Sequence, residues 1–434
     1  MKLIADLHIH SKHARACSSA LSIPNLEKYA KIKGINLLGT GDFQHPLHRE
    51  HINEHLKEDS NGILRTSSGF PFIWQTEISF MYSQNNKRRA VHLVVLSPNT
   101  ETSNKITSYL LSKGRVDYDG RPIFGIPCDE FVKDLKQISE EIEIIPAHCM
   151  TPWFGLFGSK SGFDSLEECF QEQTKHIYAV ESGMSADPPM LWRFKQKFNV
   201  VSFSDAHSFW PWRIGREATI FDIPEVAHAS EASPNQQDAT TNTGVQFVRP
   251  GDSPKWLTYK NIINAIRTGK NLTTIETPPA YGRYHWDGHR DCNFSCDHIT
   301  TKHNKGVCPK CKKPLTIGVD YRVEEIAKEL KGFTPADAKN FYELLPLHEL
   351  IALHLSSSLN TKKTWALYNE LIEKFNNEFN ILLNLTKEDL QKASINEKLA
   401  EIILLNRENK LSVKPGYDGE YGVLQLPSKQ ATLF

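Results

Sequence analysis

Residues 2–10 read Lys2-Leu3-Ile4-Ala5-Asp6-Leu7-His8-Ile9-His10. A short apolar run that gives way to turn residues and then to a helical pattern reads as a strand, here Lys2–Leu7. Residues two apart on a strand share a face, so His8 and His10 point the same way at its end and can hold one metal ion between them. Working outward, the rhythm repeats. Pro24–Lys33 reads as a helix, with Ser22 as its cap, a proline in the first turn and Gly34 ending it. Ile35–Gly39 reads as the next strand, and Phe72–Gln75, Val91–Leu96, Ile142–Ile145, Ala179–Glu181 and Val200–Ser204 as further ones. Strands alternating with helices predict an α/β fold built on a parallel sheet or barrel.

The chain has 434 residues, long for one domain, and its 39% apolar content with 22 Phe, 13 Tyr and 8 Trp is enough to bury a full core. No run of 18 apolar residues is present, so no membrane span is expected. No signal-like segment precedes the first strand, and the sequence reads as cytoplasmic. Formal net charge is zero, so bulk charge does not announce a polyanionic partner, although local patches still can bind one. The chain divides into residues 1–284 with a polar surface loop at 226–250, a cysteine-rich segment at 285–320, a helical region at 321–412 and an extended tail at 413–434. A helix at 259–268, closed by Gly269, and a short strand at 271–275 complete the first part.

The candidate chemistry sits at strand ends, where barrel active sites form. Asp42 and His45 follow the second strand; Glu77 follows the strand at 72–75; His92 lies in the strand at 91–96. His148 ends Ile144-Ile145-Pro146-Ala147-His148, and Asp205 and His207 end the run Val200–His207, again two apart. Imidazole and carboxylate ligands of this kind suit zinc, manganese or iron. A single histidine is weak evidence, but an H-x-H and a D-x-H pair at the first and last strands of one pattern lift the set together. His48, His51 and His55 sit at helical spacing in a charged stretch and read as a solvated helix face.

The eight cysteines fall into two groups. Cys17, Cys128, Cys149 and Cys169 are scattered and read as small buried residues. Cys292-x3-Cys296-x11-Cys308-x2-Cys311 has zinc-ligand spacing, and four thiolates fill a tetrahedral site, which makes it structural. His298 and His303 are alternative ligands for one position.

The order D-x-H-x-H, G-D, a lone glutamate, P-A-H and S-D-A-H resembles the polymerase-and-histidinol-phosphatase (PHP) superfamily. More narrowly, the chain resembles the endonuclease Q family through GTGDFQHP (39–46), TPWFGLFGSKSGFDSLEE (151–168), ESGMSADPPMLWR (181–193), SDAHSFWPWRIGREA (204–218), WDGHRDC (286–292) and CPKCKKPLTIGVDYRVEE (308–325). The resemblance runs to the PGYDGEYG stretch at 415–422. It implies a distorted (β/α)7 PHP barrel, a four-cysteine zinc-binding segment and a helical C-terminal domain. It implies an endonuclease that cuts DNA 5′ to deaminated bases (uracil, hypoxanthine, xanthine) and abasic sites, using two or three divalent ions: zinc, manganese, iron or magnesium. The implied metal ligands are His8, His10, Glu77, His92, His148, Asp205 and His207, with Asp42 and His45 serving a further ion. Glu77, Asp205 and His207 are the implied catalytic centre, Glu77 as a bridge and Glu181 as a neighbour on the rim. The chain departs from the superfamily pattern at Gln44-His45, where T-D-H is usual, which leaves His45 and His48 both open as ligands.

Three further stretches carry candidate contacts. Trp153, Phe154 and Phe157 with Lys160 read either as a nucleic-acid wall, with rings stacking on bases, or as a loop folded back on the sheet. Trp210, Trp212, Arg213 and Arg216 follow the Asp205–His207 pair and read either as a clamp on DNA or as a packed aromatic corner. The closing Gln430-Ala431-Thr432-Leu433-Phe434 resembles peptides that bind replication sliding clamps through Gln430, Leu433 and Phe434. Two rival functions are a small-molecule phosphatase of the same superfamily and a non-catalytic scaffold bound to DNA or a clamp.

Overall fold

The structure is a computed structural model and describes residues 2–224, 248 and 254–425. Most of the 226–250 loop and all of the Gln430, Leu433 and Phe434 motif lie outside the described residues.

The principal strands are β1 (Leu3–Asp6), β2 (Leu37–Gly39), β3 (Pro71–Gln84), β4 (Lys87–Ser97), β5 (Glu143–Pro146), β6 (Ala179–Glu181), β7 (Asn199–Val201), β8 (Ala218–Phe221) and β9 (Leu272–Glu276). The fold is mixed α/β around a large central sheet. Its path runs β9-β8-β1-β2-β3, with β4 on β3 and β5 on β4. β1 is buried on both faces, which suits its apolar residues Leu3, Ile4 and Ala5. The helix Ile23–Lys33 returns the chain from β1 to the parallel β2; Ser22 caps it by accepting from the Asn25 N–H, and Gly34 leaves it at φ +98°.

Two expectations change. The sheet is not purely parallel: β3 and β4 form one long antiparallel hairpin, from Trp74 opposite Ser97 to Gln84 opposite Lys87. Its turn is Asn85-Asn86, with φ of 52° and 58°, the positive values that a two-residue hairpin turn needs. Glu77 therefore lies inside a strand, not beyond one. Nor does strand pairing close a barrel. β6 and β7 form a separate parallel pair. One backbone bond, Cys149 N–H to the Glu181 carbonyl, links that pair to the end of β5. On the other side an isolated bridge joins Ile9 to Ala206, and the Asp6 carboxylate accepts from the Ser204 N–H and hydroxyl and the Gly215 N–H.

The region after the cysteine segment is less uniformly helical than its spacing implied. The helix Val319–Ile326 stops before Leu330, which is exposed; Gly332 at φ +93° and Pro335 break the periodicity. Phe341–Glu343 then pairs in parallel with β9, so this part of the chain shares the central sheet. The helices Leu347–Leu355, Lys362–Phe375, Glu378–Leu383, Lys387–Lys392 and Glu397–Arg407 follow. The chain then returns: Ser412–Lys414 pairs with Val423–Gln425, and the N–H groups of Gly416 and Gly422 donate to the carbonyls of Ala280 and Tyr281.

Candidate active site

His8 and His10 leave β1 on one face and are fully buried, as is Glu77 in β3. Donor atoms of His8, His10, Glu77 and Asp205 all lie within 4.8 Å of one another, and so do those of Glu77, His92 and His148. Glu77 belongs to both groups. Its Oε1 lies 2.8 Å from His92 Nδ1 and 3.1 Å from His148 Nε2, while Oε2 lies 3.2 Å from His10 Nε2. Oε1 also lies 3.6 Å from His8 Nε2, so Glu77 would be shared between cations held by the two groups.

Each histidine of the H-x-H pair has a carboxylate behind it. His8 Nδ1 is 2.9 Å from Glu181 Oε1, and His10 Nδ1 is 3.0 Å from Asp42 Oδ1. A carboxylate on one ring nitrogen fixes the tautomer and turns the other nitrogen toward a metal. The Nε2 of His8 is buried and has no hydrogen-bond partner, an atom that a cation at this position would satisfy. The residues thus fit a pair of divalent ions. Burial opposes protonation of His8, but the charges of Glu181 and Glu77 outweigh it and hold the ring well above the ordinary imidazole value. Burial likewise opposes ionisation of Glu77, yet His92, Arg121 and His8 pull it well below the usual carboxylate range. Cations would take the place of those protons.

The backbone is unusual at three of these positions. Asp42, His148 and Asp205 have φ of 33°, 31° and 47°, a region that side chains other than glycine seldom enter. Each follows a strand end where the chain turns sharply to point a side chain inward. At Gly183 a side chain would meet His148 Cβ at 2.6 Å, so only glycine lets these two segments approach.

Three expected ligands fall outside the two groups, His207 beside the first with its ring 4.7 Å from that of His10. Asp42 Oδ1 lies 3.0 Å from His10 Nδ1 and its Oδ2 accepts from the Ser11 N–H at 2.6 Å, which puts Asp42 behind a candidate ligand and outside both groups. His45 stacks on His13 at 4.4 Å between ring centroids, and His48 Nε2 is 2.9 Å from the Thr40 carbonyl; neither joins a group. His207 is outside both groups as well; its Nδ1 faces the Asp205 carbonyl at 2.9 Å, and it lines the adjoining cleft.

That cleft, about 730 Å³, runs from His92 and His148 past Asp205 to Arg213 and Tyr421. The 151–163 loop folds back, with Phe157 buried and the Phe154 carbonyl accepting from the His92 N–H. Trp153, 43% exposed, and Lys160 remain on the surface. Trp210 and Trp212 are parallel, 5.6 Å apart, and both meet Trp365 of the helical region edge-on, which is the packed aromatic corner. Arg213 donates to the Tyr421 hydroxyl at 3.0 Å, and Arg216 to the Ser204 carbonyl.

In the cysteine segment the expected fourth thiol is replaced. Donor atoms of His289, Cys292, Cys308 and Cys311 lie within 4.8 Å of one another. Cys296 is buried against the Thr301 hydroxyl at 3.2 Å and is not among them. The sequence held the signal: His289-x2-Cys292 has the same spacing as Cys308-x2-Cys311. Sequence reasoning also missed Arg121, whose Nη1 lies 3.0 Å from Glu77 Oε2; nothing around it in the sequence resembles a site motif.

Over its full length the chain superposes on lesion-specific endonuclease PfuEndoQ from Pyrococcus furiosus with a TM-score of 0.82 and 27% identity, covering 98% of that chain. It matches equally an Endonuclease Q complex with a 27-mer duplex substrate carrying an abasic lesion at the active site, at TM-score 0.82, 27% identity and 99% and 98% coverage. The chain is thus similar to Endonuclease Q over its whole length. Residues 346–410, in the helical region of this endonuclease Q-like chain, also match the family described as the MJ0043 C-terminal domain. Uncharacterized protein MJ0043 of Methanocaldococcus jannaschii is 31% identical over 277 residues, 63% of this chain. This chain spans about a third (31%) of that relative's length. Among the described residues, no helix is long and apolar enough to cross a membrane.

Proposed function

We propose that the protein is a DNA repair endonuclease that hydrolyses the phosphodiester bond 5′ to deaminated bases and abasic sites. The observation that carries this is Glu77 shared between two buried ligand groups at the end of an open cleft, in a chain that is like Endonuclease Q from end to end. The central sheet is read here as a distorted (β/α)7 barrel with this centre on its rim.

Bound divalent ions, zinc or manganese by ligand chemistry, would lower the pKa of a coordinated water and neutralise charge on the phosphate. The protein's own residues do the rest. His8, His10 and Asp205 would hold one ion, His92 and His148 another, and Glu77 would serve both. Glu181 and Asp42 keep the H-x-H rings turned inward. Trp153, Arg213 and Arg216 line the cleft and Lys160 is exposed on the same loop as Trp153; rings and cations of this kind suit a nucleic-acid strand. His289, Cys292, Cys308 and Cys311 would hold one structural zinc. The clamp-binding reading of Gln430, Leu433 and Phe434 rests on sequence alone.

The test is a labelled duplex with one uracil, hypoxanthine or abasic site, incubated with manganese or zinc and either the wild type or Asp205→Ala. Cleavage 5′ of the lesion, lost in the variant, supports the reading. Variant-sensitive phosphate release from a monoester without DNA cleavage would move the protein to the phosphatases.

A further inference from the structure

We infer that Arg121 contacts the scissile phosphodiester, as a catalytic residue that binds a non-bridging oxygen beside Glu77; this rests on the nuclease reading above. Arg121 lies in the Gly120-Arg121-Pro122 turn, which is fastened on every side. The Gly120 N–H donates to the His13 carbonyl at 3.0 Å, and Gln44 Nε2 donates to the Gly120 carbonyl at 2.6 Å. The Arg121 N–H donates to Asp119 Oδ1 at 3.0 Å, and the Pro122 carbonyl accepts from the Ser79 N–H at 3.1 Å. At Gly120 a side chain would meet Asp42 Oδ2 at 2.3 Å, so the turn is pressed against the residue that orients His10. A guanidinium held this way has little freedom to lose on binding a ligand.

Its direction is set too. Nη1 donates to Glu77 Oε2 at 3.0 Å, on the side of that carboxylate facing His10 and Asp205. A guanidinium has five N–H donors, and among the described residues the other side-chain donors of Arg121 have no protein partner; the side chain is 21% exposed.

The charge balance says what those free donors are for. The two ligand groups contain two carboxylates, Glu77 and Asp205, and four imidazoles. With Glu181 and Asp42 behind the rings, four carboxylates would balance two divalent cations, so a fixed guanidinium leaves one positive charge in excess. An anion entering the site removes the excess, and a phosphodiester gaining charge during hydrolysis does so most strongly. The planar donors of arginine match phosphate oxygens in pairs, whereas a lysine amine meets them only as a point charge.

The test compares full-length wild type, Arg121→Ala and Arg121→Lys on a duplex with one abasic site. Metal content by mass spectrometry should be the same in all three. After EDTA treatment, the slope of log affinity against log salt, read by fluorescence anisotropy, should fall by about one for Arg121→Ala and be kept by Arg121→Lys. Single-turnover cleavage by the metal-loaded proteins should drop on the order of 10²-fold in Arg121→Ala and recover in part in Arg121→Lys. Loss of metal from Arg121→Ala, an unchanged salt slope or an unchanged cleavage rate each overturns the inference; the first would make Arg121 a support for Glu77 only. A wild type that neither binds nor cuts the duplex sinks the nuclease reading and this inference with it, whereas a wild type that cuts beside an unaltered Arg121→Ala sinks the inference alone.

Discussion

Lys33, at the end of the first helix, and Glu378, in the helical region, meet at 2.6 Å with both side chains excluded from solvent. Glu378 also accepts from the Leu347 N–H and the Tyr368 hydroxyl, each at 2.9 Å, and Lys33 donates to the Pro211 carbonyl at 2.8 Å. Residues more than three hundred positions apart are thus joined by one hydrogen-bonded pair, and that pair holds Pro211, four residues beyond His207 in the chain. Removing one partner strands a buried charge. Glu378→Ala should cost about 3–5 kcal/mol, and the paired Lys33→Met, Glu378→Gln variant, which keeps an acceptor for the Leu347 N–H and the Tyr368 hydroxyl, less. Urea denaturation of both checks this; equal losses would show that the charges are not paired in solution.

His348 gives the pH dependence. It is fully buried, neither ring nitrogen has a partner, and its ring packs 3.9 Å from Tyr368 and 4.5 Å from Trp365. Burial, helped by the charge of Lys33, pushes its pKa from 6.5 down to about 3. The unfolded chain takes up a proton below pH 6.5 and the folded chain does not. The resulting stability is therefore complete above pH 6.5 and is lost as pH falls toward 3, by about 1.4 kcal/mol per pH unit at the steepest. His348→Phe should flatten the stability profile between pH 6 and 4 by about that slope. Identical profiles for the two proteins would remove His348 from the account.

The carboxylates behind the H-x-H pair should matter to metal and not to folding. Glu181→Gln and Asp42→Asn are expected to weaken metal binding about 10–100-fold while leaving circular dichroism unchanged. A competing chelator titration measures it. If Asp42→Asn instead lost one ion outright while the other kept its affinity, Asp42 would be a ligand after all.

The cysteine segment can be resolved by counting zinc. Cys296→Ser should retain one zinc per chain, and His289→Ala should lose affinity for it. The opposite result would restore the four-cysteine set.

Much of the site was readable because strand geometry is local. His8 and His10 share a face by spacing alone, whereas Asp205 and His207, also two apart, lie beyond the end of β7 and only Asp205 joins a ligand group. The first helix announced itself through Ser22, Pro24 and Gly34. What the sequence hid was set by distance along the chain. Nothing in the sequence shows that Asp42 sits behind His10, with its oxygens on His10 Nδ1 and the Ser11 N–H. Trp210 and Trp212 look exposed until Trp365 is placed against them. The β3–β4 hairpin was legible in principle, since Asn85-Asn86 is a turn signal, but the strand candidates on either side were read too short.

The positive φ angles at Asp42, His148 and Asp205 carry a last consequence. Backbone strain of this kind costs on the order of 1 kcal/mol at each position, and glycine would relieve it. Folding and chemistry therefore pull in opposite directions at these residues. Selection for thermal tolerance alone, with no demand on activity, would erode the centre first at these three turns, and a stabilised laboratory variant that gained glycine there would be a sturdier protein with an emptied workplace.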